Sequence, residues 1–268
     1  MSFYLRKYPV APALRPYVKF YYILEGSAIW LDNHPQGSLD LVFGLDGGLK
    51  FHSETHQTGV LSRIAIVAQQ ERAFKIEFTP QTKIFGINFK PEGFYKILRL
   101  PLSEMINLSW DVNGLLPKSF LEFHEQIYTS HSEVELIRRV EDFLMREFFR
   151  VNAQLEPVDK LINHLRQVNG NLRVGEMADK MFVSRRTLHR LFVDRFGISP
   201  KAYTRVIRFQ SAVRSFYQHS YLGLSAALHN SGYYDQNHFI KDFKQFTGKT
   251  PSAFLGDERS LSDFFLKE

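Results

Sequence analysis

Two stretches of the chain, 51 residues apart, repeat one pattern of capping, basic, apolar and glycine residues. The first is MFVSRRTLHRLFVDRFGISP, residues 181–200, and the second is GYYDQNHFIKDFKQFTGKTP, residues 232–251. The aligned pairs are Ser184 with Asp235, Arg190 with Lys241, Phe192 with Phe243, Gly197 with Gly248, and Pro200 with Pro251. Ser and Asp are favoured N-cap residues, and glycine is favoured just past the end of a helix. Each stretch is therefore predicted to contain one helix.

A second, shorter helix is predicted before each of these. In the first copy, apolar residues recur at the spacing i, i+3, i+4 and i+7, which are Val174, Met177, Ala178 and Met181. This spacing is typical of an amphipathic helix. The second copy offers Leu224, Ala227 and Leu228, followed by a turn at Gly232. Two short helices joined by a tight turn form a helix-turn-helix, so the chain is predicted to contain two such units.

Polar side chains lie opposite the apolar face of the second helix in each unit. In the first unit they are Arg185, Arg186, His189 and Arg190, and the matching positions of the second unit hold Gln236, Asn237, Ile240 and Lys241. Arg can read guanine, and Asn or Gln can read adenine, through two hydrogen bonds in the major groove. The alternative is an ordinary solvated helix face. Because the pattern occurs twice, we expect these eight residues to form a DNA-binding surface.

The net charge of +6 is confined to the segment that holds the repeat. Residues 1–154 carry 17 basic and 17 acidic side chains, whereas residues 155–256 carry 15 and 7. The last twelve residues carry 2 and 4. A localised basic domain favours a polyanionic partner, and nucleic acid ranks ahead of a membrane surface. No apolar stretch approaches the roughly 18 residues of a membrane-spanning helix.

The segment between the two units is predicted to be one long helix. It reads SPKAYTRVIRFQSAVRSFYQ, with Ser199 as the cap and Pro200 at the first helical position. Its apolar face comprises Tyr203, Val206, Ile207, Val213 and Tyr217. About twenty helical residues span roughly 30 Å, and major-groove faces on one side of B-DNA recur about every 34 Å. One rigid helix could therefore hold two reading helices in adjacent grooves.

The preceding half of the chain has the pattern of a β-rich domain that ends in helices. Short apolar or alternating runs fill the first hundred residues or so, broken by Gly, Pro and Asp, and LDGGLKF is expected to be a hairpin turn. Helices are predicted from Pro91, in KSFLEFHEQIY and in SEVELIRRVEDFLMREFFR. The expected fold is α+β with two domains: a β-barrel or jelly roll over 1–152, an all-α domain over 153–256, and a tail over 257–268.

The residues of the C-terminal half also resemble the DNA-binding domain of the AraC/XylS family of bacterial transcription regulators. GYYDQNHFIKDFKQFTGKTPSAF follows the family's second-unit signature, and Tyr203, Arg208 and Ala212 fall at its connector spacing. The resemblance implies two recognition helices, over 184–196 and 235–247. It implies base-facing roles for Arg186, His189 and Arg190, and groove-facing roles for Gln236, Asn237 and Lys241. One departure lies in the turn of the first unit, where Phe182 replaces a common glycine.

The N-terminal half shows a looser resemblance to the sensor domain of some family members. It rests on HPQGSLDLVFGLDGG and IFGINFKPEGFYKILRLPLSEM. The resemblance implies a domain that binds a small-molecule effector, pairs two subunits, or does both, and a regulator that acts with RNA polymerase, with activation the commoner mode. Aromatic residues near its start fit either a ligand pocket or a packed core, namely Tyr17, Phe20, Tyr21, Tyr22 and Trp30. The apolar stripe on helix 132–150 fits either the domain's own core or a homodimer contact, and the homodimer contact is favoured.

The main alternative is a metal-dependent, cupin-like enzyme with a helical appendage. Its candidate ligands in the strand region are His34, His52, Glu54 and His56. HSETH places two His four residues apart, which would share a face on a helix but not on a strand, so a polar hairpin is favoured over a metal site. Motifs of serine hydrolases and phosphate-binding loops do not occur. We therefore expect no catalytic residue, no metal and no cofactor.

The cysteine content and the first residues of the chain bear on its cellular location. The chain has no cysteine, which excludes disulfides and fits a reducing compartment. Its first residues, MSFYLRKYPV, lack the basic-then-apolar layout of a secretion signal. We expect a cytoplasmic, nucleoid-associated protein that binds double-stranded DNA and no membrane.

Overall fold

A computed structural model describes residues 3–52, 59–61, 63–69, 71–98, 101–104, 118–150, 156–218, 231–233 and 235–255. The predicted α+β class is confirmed, with a β-rich N-terminal part and a helical C-terminal part. The strands are β1 (Tyr4–Tyr8), β2 (Val18–Gly26), β3 (Trp30–Asn33), β4 (Leu39–Asp46), β5 (Leu49–His52), β6 (Gly59–Leu61), β7 (Ile64–Val67), β8 (Phe74–Phe78) and β9 (Thr82–Phe89). The helices are α1 (Pro91–Leu98), α2 (Lys118–Tyr128), α3 (Glu133–Arg150), α4 (Pro157–Gln167), α5 (Val174–Lys180), α6 (Arg185–Phe196), α7 (Pro200–Gln218), α8 (Gln236–Thr247) and α9 (Pro251–Leu255), with short 3-10 turns at Pro12–Leu14 and Leu102–Glu104.

The strands form two antiparallel sheets. The first has the order β1-β2-β9-β4-β7 and the second has the order β3-β8-β5-β6. One apolar core lies between the sheets and includes Leu24 and Val42 from the first and Phe51 and Ile76 from the second. Because the first sheet is also covered by helices on its other face, its strands β2, β4 and β9 are buried on both sides over most of their length. This double burial explains why β2, β4 and β9 are nearly continuous apolar runs.

The prediction of a hairpin in LDGGLKF is wrong. β4 ends at Asp46 and β5 begins at Leu49, but the two strands lie in different sheets. The turn therefore carries the chain from one layer to the other. Gly47 has a φ of +61°, and a Cβ there would lie 2.7 Å from the backbone of Thr82. The turn therefore requires glycine at position 47 although it is not a hairpin, because a side chain there would clash with the neighbouring backbone.

The stripe on α3 packs into the core of its own domain. Val140, Leu144 and Phe148 are buried there against the first sheet, α1 and α2, and Ile137 is partly buried. The first residue of the stripe, Val134, is 77% exposed. The capping pattern is present, since Ser132 Oγ accepts a hydrogen bond from the backbone of Glu135 at 3.2 Å. Of the two interpretations of this stripe, core packing is the one that the described contacts support.

The helical half has a separate core, to which α4–α9 contribute residues. The first helix of the second unit, predicted around Leu224, Ala227 and Leu228, lies outside the described residues. So do the expected boundary at 152–153 and the tail at 257–268. The described helices on either side of that boundary are α3, which ends at Arg150, and α4, which begins at Pro157.

Candidate nucleic-acid interface

The first reading helix, α6, begins and ends where its capping residues predict. Ser184 is the N-cap and accepts a hydrogen bond from the backbone N–H of Thr187 at 3.1 Å. Gly197 follows the last turn with a φ of +77°, and its N–H donates to the carbonyl of Val193. Leu188 and Phe192 are fully buried. Fixing these two residues inward leaves the opposite side of α6 to solvent.

The second reading helix, α8, repeats this construction. Asp235 is the N-cap, and its Oδ1 accepts from the backbone N–H of His238 at 2.7 Å. Gly248 ends the helix with a φ of +72°. The inward positions are the predicted phenylalanines Phe239, Phe243 and Phe246, each at most 4% exposed. The sequence repeat is thus a repeat of capped helices with matching buried faces.

Three predicted reading residues on α6 share one exposed face. Arg186, His189 and Arg190 are spaced i, i+3 and i+4, and all three are exposed. In the described part of the chain, no carboxylate lies within ion-pair distance of Arg186 or Arg190. Arg185, the remaining predicted residue on α6, is also exposed, but its guanidinium lies beside Gly175 on α5. Arg186, His189 and Arg190 therefore form the available polar surface of the first unit.

The corresponding face of α8 carries a different set of donors and acceptors. Gln236, Asn237 and Lys241 are exposed. Ile240, the remaining predicted residue on this helix, is half-buried and packs against the helical core. Gln and Asn side chains have both an acceptor and a donor, as adenine readout requires.

The connecting helix α7 is a single helix of 19 residues that packs against both reading helices. Ser199 caps it, with Oγ accepting from the backbone of Ala202 at 3.1 Å. Near its start, Tyr203 contacts Phe192 and Phe196 of α6, with ring centroids 5.6 and 5.3 Å apart. Near its middle, Phe209 contacts two phenylalanines of α8, Phe243 and Phe246, at 5.4 and 5.0 Å. Aromatic packing therefore fixes each reading helix to one rod.

An ion pair adds to the attachment of α8. Arg205 of α7 donates to Asp242 Oδ1 from Nη2 at 2.6 Å and from Nε at 3.2 Å. Asp242 is 3% exposed. Hydrogen bonds to Asp242 contribute most to the raised pKa of Arg205, against the opposing effect of burial. A two-pronged contact of this kind restricts the orientation of one helix relative to the other.

Two ion pairs that the sequence did not predict, one buried and one partly buried, join the β-rich half to the helical half. Lys96 of α1 donates to Asp159 of α4 at 2.5 Å, and both side chains are 1% exposed. Arg166 of α4 forms two parallel hydrogen bonds with Glu92 of α1, at 2.6 and 2.9 Å. The spacing of Glu92 and Lys96, four residues apart on one helix, was visible in the sequence. It gave no sign of burial, because such pairs are common on exposed helices.

The same face of α1 also contacts the first reading helix. The guanidinium of Arg195, in the last turn of α6, lies 4.8 Å from the ring centroid of Tyr95. Arg195 Nη1 also pairs with Glu156 Oε2 at 2.6 Å. At a second place, α9 and the turn before it meet the β-rich half, where Phe254 packs on the ring of His34 and Lys249 pairs with Asp32. The reading helices are thus connected to the β-rich half through charged and aromatic contacts.

The aromatic residues considered for a ligand pocket are divided between different surroundings. Tyr21 lies in the core under α2 and α3, and Tyr17 stacks on Phe148. Phe20 and Tyr22 lie in the core between the sheets, whereas Trp30 is 46% exposed. Of these five residues, Tyr22 lines the narrow cavity between the sheets. Most of the cluster is therefore core packing.

That cavity has a polar end and an apolar end. Asn33 and Asp40 form the polar end, and Leu24, Phe51 and Phe78 are among the apolar lining residues. Burial raises the pKa of Asp40 to about 6, although the hydrogen bond from Asn88 at 2.9 Å acts in the opposite direction. The space is sufficient for about one water molecule. A larger ligand would require the two sheets to separate.

The two candidate metal ligands within the described residues, His34 and His52, have separate surroundings. His34 is buried next to Phe254, and His52 Nε2 lies 2.8 Å from Glu77 Oε2. Glu54 and His56 lie outside the described residues. Within the described ranges, no group of three or more His, Asp or Glu side chains could hold a metal ion. No helix in these ranges is both long and apolar enough to cross a membrane.

Comparison with protein families assigns the two halves separately. Residues 177–257 match a family described as a helix-turn-helix domain. Residues 6–111 match a family described as a domain of unknown function. The first match covers both reading helices and the connector, and the second covers strands β2–β9 and the last three residues of β1.

Two curated proteins are similar to part of the chain. The Msm operon regulatory protein of Streptococcus mutans is 32% identical over 104 residues, which are 38% of this chain and 36% of that protein. The arabinose operon regulatory protein of Escherichia coli is 26% identical over 145 residues, which are 51% and 49% of the two chains. The chain therefore spans about half or less of the length of the curated relatives it matches.

A solved structure is similar over nearly the whole chain. ToxT from Vibrio cholerae aligns with 96% of this chain and 98% of its own, with a TM-score of 0.51 and 12% sequence identity. At this identity the likeness concerns the fold alone. It extends the shared architecture to both halves, the β-rich one and the helical one.

Proposed function

We propose that this chain, whose C-terminal part is a helix-turn-helix domain of the AraC/XylS family, is a sequence-specific DNA-binding transcriptional regulator. The observation that carries this proposal is the pair of capped helices, α6 and α8, each with exposed polar residues and each attached to α7 by aromatic packing. The main alternative in the sequence, a metal-dependent enzyme, would need a cluster of metal ligands, and no group of three or more His, Asp or Glu side chains among the described residues could form one.

Recognition of DNA is divided between backbone contacts and base contacts. Lys and Arg on the basic helical half would bind phosphates, which supplies affinity without regard to sequence. Arg186, His189 and Arg190 would read bases in one major groove, with arginine directed to guanine. Gln236, Asn237 and Lys241 would read the next groove, with the amide side chains directed to adenine. The two helices therefore favour boxes of different composition.

The attachment of both reading helices to one helix supports readout of two adjacent grooves. α6 packs on α7 at Tyr203, and α8 packs on it at Arg205 and Phe209, so one rod would hold the two helices on one side of the duplex. Adjacent major-groove faces lie about 34 Å apart. The preferred site should therefore contain two boxes about one helical turn apart.

The β-rich half is proposed to control how the helical half meets DNA. The contacts from α1 to α4 and α6 give it a direct physical connection to the first helix-turn-helix unit. A small-molecule effector that separates the sheets, or a second copy of the chain, could shift these contacts. RNA polymerase is the proposed protein partner, and activation is the proposed mode of control, both by analogy with the family.

Binding to duplex DNA should exceed binding to duplex RNA of equal length, and should weaken steeply with salt. Each phosphate contact releases counterions, so the logarithm of the binding constant should fall with the logarithm of salt concentration with a slope of about −0.9 per contacted phosphate. A-form RNA has a deep, narrow major groove that these side chains could not read. Fluorescence anisotropy with matched duplexes at several salt concentrations measures both effects. Equal affinity for RNA, or a salt-insensitive complex, would contradict the proposed function.

A further inference from the structure

Phe182 combines two unfavourable features at one position. It lies in the turn between α5 and α6, and 95% of its surface is exposed. Its φ is +54°, in the left-handed region. Exposure leaves a large apolar ring in water, and the left-handed backbone is costly for a residue with a Cβ. Neither feature helps the chain to fold.

The hydrogen bonds around Phe182 show that the left-handed conformation is part of the turn. The N–H of Val183 donates to the carbonyl of Ala178 at 3.1 Å, and the N–H of Phe182 donates to that of Asp179 at 3.1 Å. These two bonds define the Schellman motif that ends α5, with Phe182 at the position where glycine is usual. Elsewhere in the helical half, the described left-handed residues are one asparagine and several glycines, which are Asn169, Gly170, Gly197, Gly232 and Gly248.

The turn lies next to the proposed reading surface. Phe182 precedes the N-cap of α6, Ser184, by two residues, and Arg186 follows that cap by two. Both Ser184 and Arg186 are exposed. In helix-turn-helix docking, the N-terminal residues of the second helix enter the major groove while the first helix crosses the sugar-phosphate backbone. A side chain projecting from the turn between them would meet the edge of the groove.

We infer that Phe182 is an additional DNA contact, whose ring packs on the deoxyribose carbons at the edge of the groove read by α6. This inference depends on the proposed function and adds an apolar contact to the basic and amide contacts described above. Burial of the ring against sugar carbons is independent of base sequence and of charge. Phe182 should therefore strengthen binding to any duplex without changing its salt dependence.

The test compares four forms of the full chain, the parent, Phe182→Gly, Phe182→Asn and Phe182→Leu, on a mixed-sequence DNA duplex. Glycine and asparagine tolerate the left-handed backbone but lack the ring, so their unfolding midpoints should be no lower than that of the parent. Their affinity should nevertheless fall by about three- to tenfold, with the salt slope unchanged. Leucine retains apolar surface and should keep most of the affinity.

Each other outcome overturns the inference in a recognisable way. If the parent binds the duplex and the Gly and Asn variants bind equally well, Phe182 does not contact DNA, and its exposed ring is then available to a protein partner. If both variants bind weakly but also unfold more easily than the parent, the ring has a structural role. If the parent itself does not bind duplex DNA at any salt concentration, the proposed function fails, and the inference fails with it.

Discussion

Replacing Lys96 by methionine is expected to lower the free energy of unfolding by about 3–5 kcal/mol, because it leaves a buried carboxylate without its partner. The side chains of Lys96 on α1 and Asp159 on α4 are each 1% exposed, and Lys96 Nζ lies 2.5 Å from Asp159 Oδ2. Methionine fills much of the space of the lysine stem but supplies no charge. Asp159 would then have to stay ionised in an apolar environment or take up a proton, and both cost free energy. Urea unfolding of the full chain at neutral pH measures the loss.

Two further variants make this measurement specific. Lys160→Met removes an exposed lysine next to Asp159 on the same helix and should change stability by less than about 0.5 kcal/mol. The double variant Lys96→Met with Asp159→Asn removes both charges. In the parent, Asp159 Oδ2 accepts a hydrogen bond from the backbone N–H of Glu156 at 2.6 Å. The side-chain oxygen of asparagine can accept the same hydrogen bond. The double variant should therefore recover much of the stability. A loss below about 1 kcal/mol in Lys96→Met would mean that the pair is not a buried link between the two halves.

Replacing Arg190 by alanine is expected to weaken binding to the preferred DNA site by about 1–3 kcal/mol and to relax selectivity at the base it reads. Arg190 is exposed on α6, and no carboxylate in the described part of the chain competes for it. A bidentate contact with guanine requires the planar guanidinium, which alanine lacks. The loss should be smaller on mixed-sequence DNA than on the preferred site. Equilibrium binding to both duplexes gives this difference directly.

The control for Arg190 removes the same charge at a distance from the interface. Arg138 is an exposed arginine on α3 in the β-rich half, and Arg138→Ala should leave both affinities within about twofold. Arg190→Lys is also informative, because lysine keeps the charge but not the planar fork. It should retain affinity for mixed-sequence DNA while losing selectivity. If Arg190→Ala binds both duplexes as the parent does, Arg190 does not contact a base edge.

The local signals in the sequence predicted the helical half in detail. Ser184 and Asp235 cap α6 and α8, and Gly197 and Gly248 end them, because capping depends on a few neighbouring backbone groups. The single long helix after Ser199 followed in the same way. The exposure of Arg186, His189 and Arg190 was also predictable, because the apolar residues of α6 had to face the core and these three lie on the opposite side of the helix. Ile240 packs against the core because a helix face is broader than its periodic pattern suggests.

Features that depend on distant parts of the chain were not predictable. The glycines at 47 and 48 suggested a hairpin, but the pairing partners of β4 and β5 lie elsewhere in the sequence. Lys96 and Asp159 are 63 residues apart, and nothing near either one indicates that both are buried. The aromatic residues near the start alternate along β2, so they face two different cores. The choice between pocket and core could be made only once both sheets were known.

Selection of bound sequences from random duplex DNA, using the intact chain, tests whether α6 and α8 read two parts of one site. We expect a recovered motif with two boxes whose centres lie about one helical turn, roughly 10 base pairs, apart. Arg190→Ala should lose information in one box, and Asn237→Ala should lose it in the other. Recovery of no motif, or of a single box that neither substitution alters, would contradict a regulator that reads DNA with two helices on one rod.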